Sequence, residues 1–225
     1  MTTKVHQATV IFSMVCISFA THAADMKSDI SALAHQWAKA SYQTAKKYQH
    51  PAFEALIADA QHLVDTYPDR AEPLIWKAIS LASAAKIDGG LSALSEVKEA
   101  RTLLLAAEKI NPNALDGSIY NTLGCLYAQV PGWPLGFGDK EIAAQYFAKA
   151  LAINPAGIDT NYFYAQFLAS EKEYAKALTY LDKASRAPDR EGRADADTGR
   201  QQEISQLMSQ IQHDHPELAS ESSRR

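Results

Sequence analysis

The chain has 225 residues, a formal net charge of −4 and charged side chains at 21% of its positions. Its charges are spread without long blocks of one sign, which argues against nucleic acid as a partner. Apolar residues make up 47% of the chain, enough for the continuous core of one sizeable domain.

Residues 1–24 are predicted to be a secretory signal peptide. Lys4 precedes an uncharged apolar run at residues 8–20, which is too short for a permanent membrane-spanning helix. Ala23 then offers a cleavage site, and no second apolar run of spanning length follows. Cys16 lies inside the apolar run rather than after a lipobox, so a free chain is favoured over a lipid-anchored one. We therefore predict export to a bacterial periplasm.

The predicted mature chain is acidic and has a single cysteine. Removal of Lys4 leaves 21 basic against 26 acidic side chains, a net charge of −5. Cys125 cannot form an intramolecular disulfide because its only possible partner is removed with the signal peptide. A small buried hydrophobe is favoured over a reactive thiol, since no histidine or second cysteine lies near Cys125 in sequence.

Apolar residues recur at spacings of three and four along most of the chain, which predicts an all-α fold of about eight or nine helices. Proline follows several predicted helix ends, at Pro68, Pro112, Pro155 and Pro188. The predicted helices span residues 27–48, 52–67, 71–86, 93–110, 115–129, 140–153, 157–170, 174–186 and 200–213.

The spacing of those prolines predicts helical-hairpin repeats. Intervals of 44, 43 and 33 residues separate them, and a period of about 34 residues with a terminal proline is typical of the tetratricopeptide repeat (TPR). Small residues would let paired helices approach while aromatic side chains fill the space between neighbouring pairs, giving a right-handed solenoid. The repeat-defining residues of the central unit are Tyr120, Leu123, Gly124, Tyr127, Ala143, Phe147, Ala150 and Pro155.

The repeat frame predicts the domain organisation. Residues 25–188 form the TPR-like domain and residues 189–199 a charged linker. Residues 200–213 carry a one-sided apolar stripe that suits a capping helix, and residues 214–225 form a polar disordered tail.

Two units are longer than usual between their two helices, by about seven residues in the central unit and about eight in the preceding one. Bends of successive helix pairs lie along one edge of a solenoid, so loops at residues 86–91 and 130–139 are predicted to be neighbours.

The loop at residues 130–139 contains glycines and prolines that prevent a helix, yet it carries Trp133 and Phe137. Two interpretations stay open. These rings fold back on their own repeat or the neighbouring loop, or they form a patch for a protein partner or a ligand.

Four segments follow one another in the centre of the chain: Tyr120 to Tyr127, Val-Pro-Gly-Trp-Pro-Leu-Gly-Phe-Gly-Asp at 130–139, Ala-Leu-Ala-Ile-Asn-Pro ending at Pro155, and Gly-Ile-Asp-Thr-Asn-Tyr-Phe-Tyr ending at Tyr164. Together they resemble the TatT family, the exported TPR component of TRAP-type transporters. This resemblance implies a helical-repeat protein that pairs with a periplasmic solute-binding protein feeding a sodium-coupled membrane transporter. Many family members are lipoproteins, whereas this chain lacks an obvious lipobox.

The first helices of the pairs line the concave face of a TPR array, so inward positions on these helices are candidate contacts. Counting along the repeat frame gives Lys77, Leu81, Asn121, Cys125, Tyr162 and Gln166. Of these residues only Lys77 is cationic, which does not favour a carboxylate clamp. A solvated groove without a dedicated ligand is the alternative for Lys77 and Asn121.

Little in the sequence favours catalysis. The close pair His213 and His215 is interpreted as part of a solvated tail, and no cofactor or metal site is predicted. We expect a non-enzymatic scaffold that binds a protein partner, with Trp133, Phe137, Lys77, Asn121, Tyr162 and Gln166 as candidate binding residues. The alternatives are a binding protein for a small organic acid or lipid and an envelope assembly adaptor, and homo-oligomerisation stays open.

Overall fold

The computed structural model describes residues 25–218, apart from the side chain of Leu91. The predicted signal peptide and the last seven residues of the predicted tail, 219–225, lie outside the described residues. Residues 25–218 are all-helical and contain no strand, which confirms the all-α part of the predicted fold. The helices are α1 (residues 25–38, continued by a π-helical turn at Lys39–Gln43), α2 (Lys46–Thr66), α3 (Ala71–Asp88), α4 (Gly90–Ile110), α5 (Ser118–Gln129), α6 (Lys140–Ile153), α7 (Ile158–Ser170), α8 (Tyr174–Ser185) and α9 (Ala194–Asp214).

Helices that follow one another pack together, with α2 on α3, α3 on α4, α5 on α6 and α7 on α8. The short connections between them make these neighbours antiparallel. In addition, α3 contacts α5, α5 contacts α7, and α7 contacts α9. One helix of each pair therefore lies beside its counterpart in the next pair.

The central part of the core is packed around Phe147 of α6. Tyr120, Leu123 and Tyr127 of α5 are buried in the same cluster. A Cβ atom on Gly124 would lie 2.8 Å from the Phe147 ring, so only glycine allows α5 and α6 to approach this closely.

The first predicted helix, residues 27–48, is divided in the structure. The π-helical turn ends α1, and the chain is extended at Thr44 before α2 begins. Gln49 donates through Nε2 to the backbone oxygens of Ala40 and Ser41, at 3.2 Å in each case. These bonds satisfy carbonyl groups that the end of a helix leaves free. The predicted helix end at residue 48 was wrong because the break at Thr44 is stabilised by the Gln49 side chain. No proline or glycine in the sequence marks this break.

The stretch predicted as a loop at residues 86–91 is helical except at Gly89, which alone joins α3 to α4. Gly89 adopts a φ of 64°, a left-handed value that suits glycine. The extra residues of this unit therefore lengthen its two helices. The prediction of a loop at residues 86–91 was wrong, since a helix lengthened by whole turns needs no loop residues.

The capping helix starts earlier than predicted, because α9 begins at Ala194 rather than at residue 200. Asp195 and Asp197 lie in its first turn, where carboxylates interact favourably with the helix dipole. These two acidic residues, attributed to a linker at residues 189–199, therefore belong to the start of a helix.

The second half of α9 packs Ile204 and Ile211 against the core formed with α7 and α8. Just after α9, the His215 ring stacks on Tyr174 with ring centroids 4.0 Å apart. The described start of the predicted disordered tail, residues 214–218, is thus packed and partly helical.

The loop at residues 130–139 is ordered by its own backbone. The Gly138 N–H donates to the Pro131 carbonyl at 3.0 Å. Asp139 then caps α6, its side chain accepting from the Ile142 N–H at 2.9 Å. A Cβ atom on Gly138 would clash with backbone across the turn, so this loop conformation needs glycine there.

Candidate functional site

A partly enclosed cavity of about 1340 Å³ lies between the helices. Side chains of α1, α2, α3, α4, α5, α7 and α9 contribute to its lining. The loop at residues 130–139 adds Val130, Pro131 and Leu135 to its lining. This volume exceeds the roughly 300–1,000 Å³ of ordinary small-molecule pockets, so it is large enough for a small organic ligand.

The first and last helices meet beside this cavity, in a contact that we call the α1–α9 closure. His35 Nδ1 lies 2.8 Å from Asp195 Oδ2, and Tyr42 donates its hydroxyl to Glu203 Oε2 at 3.2 Å. Gly199 packs so closely on the Tyr42 ring that a Cβ atom there would overlap it. The closure joins residues that are 160 and 161 positions apart in sequence.

Asp159 of α7 is the centre of an ion-pair network that holds the start of α9. Arg200 Nε donates to its Oδ1 at 2.7 Å, and Arg190 Nη1 donates to its Oδ2 at 2.6 Å. Arg200 also donates to Glu203 at 2.5 Å, and Arg190 to Asp197 at 2.7 Å. Each of these two arginines is thus shared between two carboxylates.

The network keeps Asp159 and Arg200 charged. Burial alone would raise the pKa of the Asp159 carboxyl, but the Arg200 and Arg190 guanidinium groups outweigh it and hold this pKa well below its usual range. Burial would likewise lower the pKa of Arg200, yet Asp159 and other nearby groups raise it above its ordinary value. The result is a salt-bridged connection between α7 and α9.

Another part of the cavity wall is apolar. Trp37 and Trp76 lie edge to face with ring centroids 6.5 Å apart, and Phe53 and Ile79 line the cavity as well. The Trp37 Nε1 donates to Ser83 Oγ at 3.0 Å, which fixes the orientation of this indole. Apolar surface beside a few fixed polar groups is typical of sites for small organic molecules.

Polar side chains on α5 and α7 also line the cavity. The buried Asn121 donates through Nδ2 to the buried Thr160 Oγ1 at 3.1 Å. Among the described residues, Asn121 Oδ1 has no hydrogen-bond partner. This amide joins the first helices of two neighbouring pairs.

Cys125 lines the cavity and is partly buried. Burial raises the pKa of its thiol to about 12, so the thiol is protonated at neutral pH. The environment suits a small hydrophobe better than a nucleophile.

The predicted contact positions on α5 and α7 divide into two groups. Asn121, Cys125 and Gln166 line the cavity. Tyr162 is instead packed under α9, with the Arg200 guanidinium 4.5 Å from its ring centre. Burial raises the pKa of the Tyr162 hydroxyl to about 12.

The predicted positions on α3 are placed away from the cavity. Lys77 Nζ lies 2.6 Å from Glu99 Oε1 and 2.6 Å from Gln61 Oε1, in a contact between α2, α3 and α4. Leu81 is part of the central core. These two positions therefore do not line the cavity. Because α3 is buried on several sides, its periodicity does not show which face would be concave.

The two aromatic residues of the loop at residues 130–139 have different environments. Phe137 packs edge to face on Tyr127, with ring centroids 5.2 Å apart, and the Arg101 guanidinium lies 4.8 Å from its ring centre. Trp133 is 90% exposed and contributes nothing to the cavity lining. Phe137 is thus the ring that folds back onto its own repeat. The Trp133 ring is exposed and available to a partner.

Sequence analysis missed the arginines of the cavity because residues 189–199 were interpreted as a linker. The available signal was the spacing of Arg190, Arg193, Asp197 and Arg200, which recur at intervals of three and four residues as on one face of a helix. Asp159, the partner of Arg190 and Arg200, lies 31 and 41 residues before them, and sequence spacing alone does not connect these residues.

Within residues 25–218, no group of three or more His, Cys, Asp or Glu side chains could hold a metal ion, and no helix is long and apolar enough to cross a membrane. No protein-family model and no curated protein matches the chain. The cavity and the surface around it are therefore the features that bear on the function of this protein.

Proposed function

We propose that this protein is an exported, non-enzymatic binding protein of the TPR type that holds a small organic ligand in its cavity. The contacts of α3 with α5 and of α5 with α7 support a right-handed TPR-like solenoid. The apolar run at residues 8–20 supports export to the periplasm.

The α1–α9 closure is the observation that favours a small ligand. An open concave groove suits an extended peptide or a helix of a partner. Here α9 and α1 meet beside the cavity, and the remaining volume is about 1340 Å³ with a mixed polar and apolar lining. A small amphipathic molecule fits such a space better than a protein segment does.

Two threonines offer a matched test of this proposal. Thr122 of α5 lines the cavity, whereas Thr102 of α4 is exposed and outside it. Trp37 and Trp76 line the cavity, so a Trp133→Phe background leaves only these two indoles to report on it. In that background, saturable fluorescence changes with ten-carbon amphiphiles of different head groups are expected.

Thr122→Phe is expected to weaken binding of these amphiphiles at least about tenfold, because the added ring occupies the cavity, while Thr102→Phe leaves binding unchanged. Equal binding by both folded variants would place the amphiphile outside the cavity. No saturable response with any head group would argue against the proposed function itself.

A protein partner is the second candidate function, and the surface of the loop at residues 130–139 favours it. Trp133 is 90% exposed and Leu135 is 71% exposed, on a turn held by its own backbone hydrogen bonds. Exposed tryptophan is a frequent anchor of protein interfaces. A solute-binding protein of a TRAP-type system, as the resemblance implies, is the proposed partner, with an envelope complex or a second copy of this chain as the other outcomes.

Capture of the partner from periplasm tests this second function. Trp133→Ala is expected to lose the solute-binding protein, whereas Tyr48→Ala, which removes another exposed ring on α2, retains it. Retention of every captured protein by folded Trp133→Ala would remove this loop from the interface.

A further inference from the structure

Arg193 differs from the other arginines beside the cavity because it has no carboxylate partner. Among residues 25–218, its guanidinium takes part in no ion pair and no hydrogen bond, and its Nε is buried without a partner. Its guanidinium carbon lies 5.3 Å from the centre of the Trp76 ring. The side chain is partly buried and lines the cavity.

The acidic groups nearest to Arg193 are already engaged. Asp159 and Asp197 pair with Arg190, and Asp195 pairs with His35. Burial, followed by the neighbouring Arg190 guanidinium, lowers the pKa of Arg193. A partly buried cation whose nearest carboxylates are paired with other groups carries a desolvation cost that a bound anion would offset.

Other charged side chains of the cavity do not compensate Arg193. Two lysines, Lys46 and Lys86, and two aspartates, Asp116 and Asp189, are exposed at the rim. Together these four side chains carry no net charge. Glu203 is paired with Arg200. Arg193 is thus the part-buried charge of the lining that lacks an ion-pair partner within residues 25–218.

The guanidinium lies directly beside apolar surface. It contacts the Trp76 ring, which in turn packs on Trp37. Phe53 and Ile79 also line this cavity. We propose that Arg193 is the head-group site of the cavity, and that the ligand is an amphiphile with one carboxylate-like anionic group and an apolar body. This inference depends on the proposed ligand-binding function and specifies its ligand class.

Three ten-carbon probes separate the head-group proposal from cavity binding in general: decanoate, decanol and decyltrimethylammonium. Titration calorimetry on the mature chain with Trp133→Phe is expected to give decanoate at least about tenfold higher affinity than decanol, with the cation weakest. Arg193→Gln is expected to reduce the affinity for decanoate at least about tenfold and to leave that for decanol within about twofold.

Arg186→Gln is the matched control, because Arg186 is exposed and pairs with Asp182 one helical turn away. It is expected to change neither affinity. The salt dependence of the unmutated cavity gives a test that needs no variant. The affinity for decanoate is expected to fall as potassium chloride rises from about 50 mM to about 500 mM, while that for decanol does not fall.

Equal affinities for decanoate and decanol, together with an unchanged decanoate affinity in folded Arg193→Gln, would overturn the head-group proposal and leave cavity binding in place. Absence of binding by all three probes would count against the proposed function first. The two failures are therefore distinguishable.

Discussion

Asp159 shows how much of the cavity wall depends on one carboxylate. It accepts from Arg200 and Arg190, so its removal leaves two guanidinium groups of α9 and its preceding turn without their shared anion. Because Arg200 is buried, the loss is larger than that of a surface ion pair.

Asp159→Asn is expected to lower the free energy of unfolding by about 3 kcal/mol in urea denaturation. Asp182→Asn is the control, since Asp182 forms an exposed pair with Arg186, and a change of less than about 1 kcal/mol is expected. Equal small changes in both variants would mean that the network contributes no stability.

The pH dependence of stability follows from the lowered pKa of the Asp159 carboxyl. A carboxyl with a folded pKa below its unfolded value of about 3.9 stabilises the fold above that value, and this contribution is lost as the pH falls toward the folded pKa. The free energy of unfolding should therefore fall less steeply below about pH 4 in Asp159→Asn than in the unmutated chain.

Cys125 gives a second prediction for a single residue. With a thiol pKa of about 12, only about one molecule in ten thousand is a thiolate at pH 8. Alkylation by iodoacetamide should be at least about a hundredfold slower than for an unfolded control of the same chain, and should accelerate with rising pH. Equal rates for the folded and unfolded chain would contradict the buried environment assigned to this thiol.

Helix lengths and contacts explain why sequence analysis succeeded only in part. The repeat positions of α5 and α6 were predicted from local spacing, because Gly124, Phe147 and their neighbours pack within one helical hairpin. The length of α3 and α4 was not predicted, since added helical turns keep the same periodicity as the helix. A glycine pair at residues 89–90 indicates a turn without giving its length.

The loop at residues 130–139 yields a prediction at this scale. Phe137→Ala is expected to lower the free energy of unfolding by about 2 kcal/mol, because it removes the ring that packs on Tyr127. Trp133→Ala should change it by less than about 0.5 kcal/mol, since that ring is exposed. Chemical denaturation measures both, and the reverse order would contradict the division between a structural and an exposed ring.

The α1–α9 closure yields another prediction about the packing of helices. Gly199→Val should separate α1 from α9, because any Cβ atom at this position overlaps the Tyr42 ring. Hydrogen exchange of the α1 amides is expected to accelerate, with the α5 and α6 amides unchanged. Thr198→Val on the adjacent, exposed position is the control, and equal exchange of α1 in the two variants would mean that Gly199 does not hold the closure.

For the whole molecule, the closure is the feature that converts a row of helix pairs into a cavity. Its contacts join residues 160 and 161 positions apart, and no repeat pattern specifies that the two ends of such a row meet. Sequence analysis therefore predicted an open face with Lys77 and Tyr162 on it, whereas the cavity wall is completed by Arg193, Arg200 and Tyr42. Asn121 on α5 and Gln166 on α7 do line the cavity, whereas Tyr162, also on α7, does not.

Native mass spectrometry of the folded protein shows whether the cavity holds a small molecule. Mature protein isolated from its own cells, or supplied with decanoate, is expected to show the mass of one bound small molecule, which is lost on denaturation and reduced in Thr122→Phe. The mass of the polypeptide alone in both samples, from protein shown to be folded, would contradict the account.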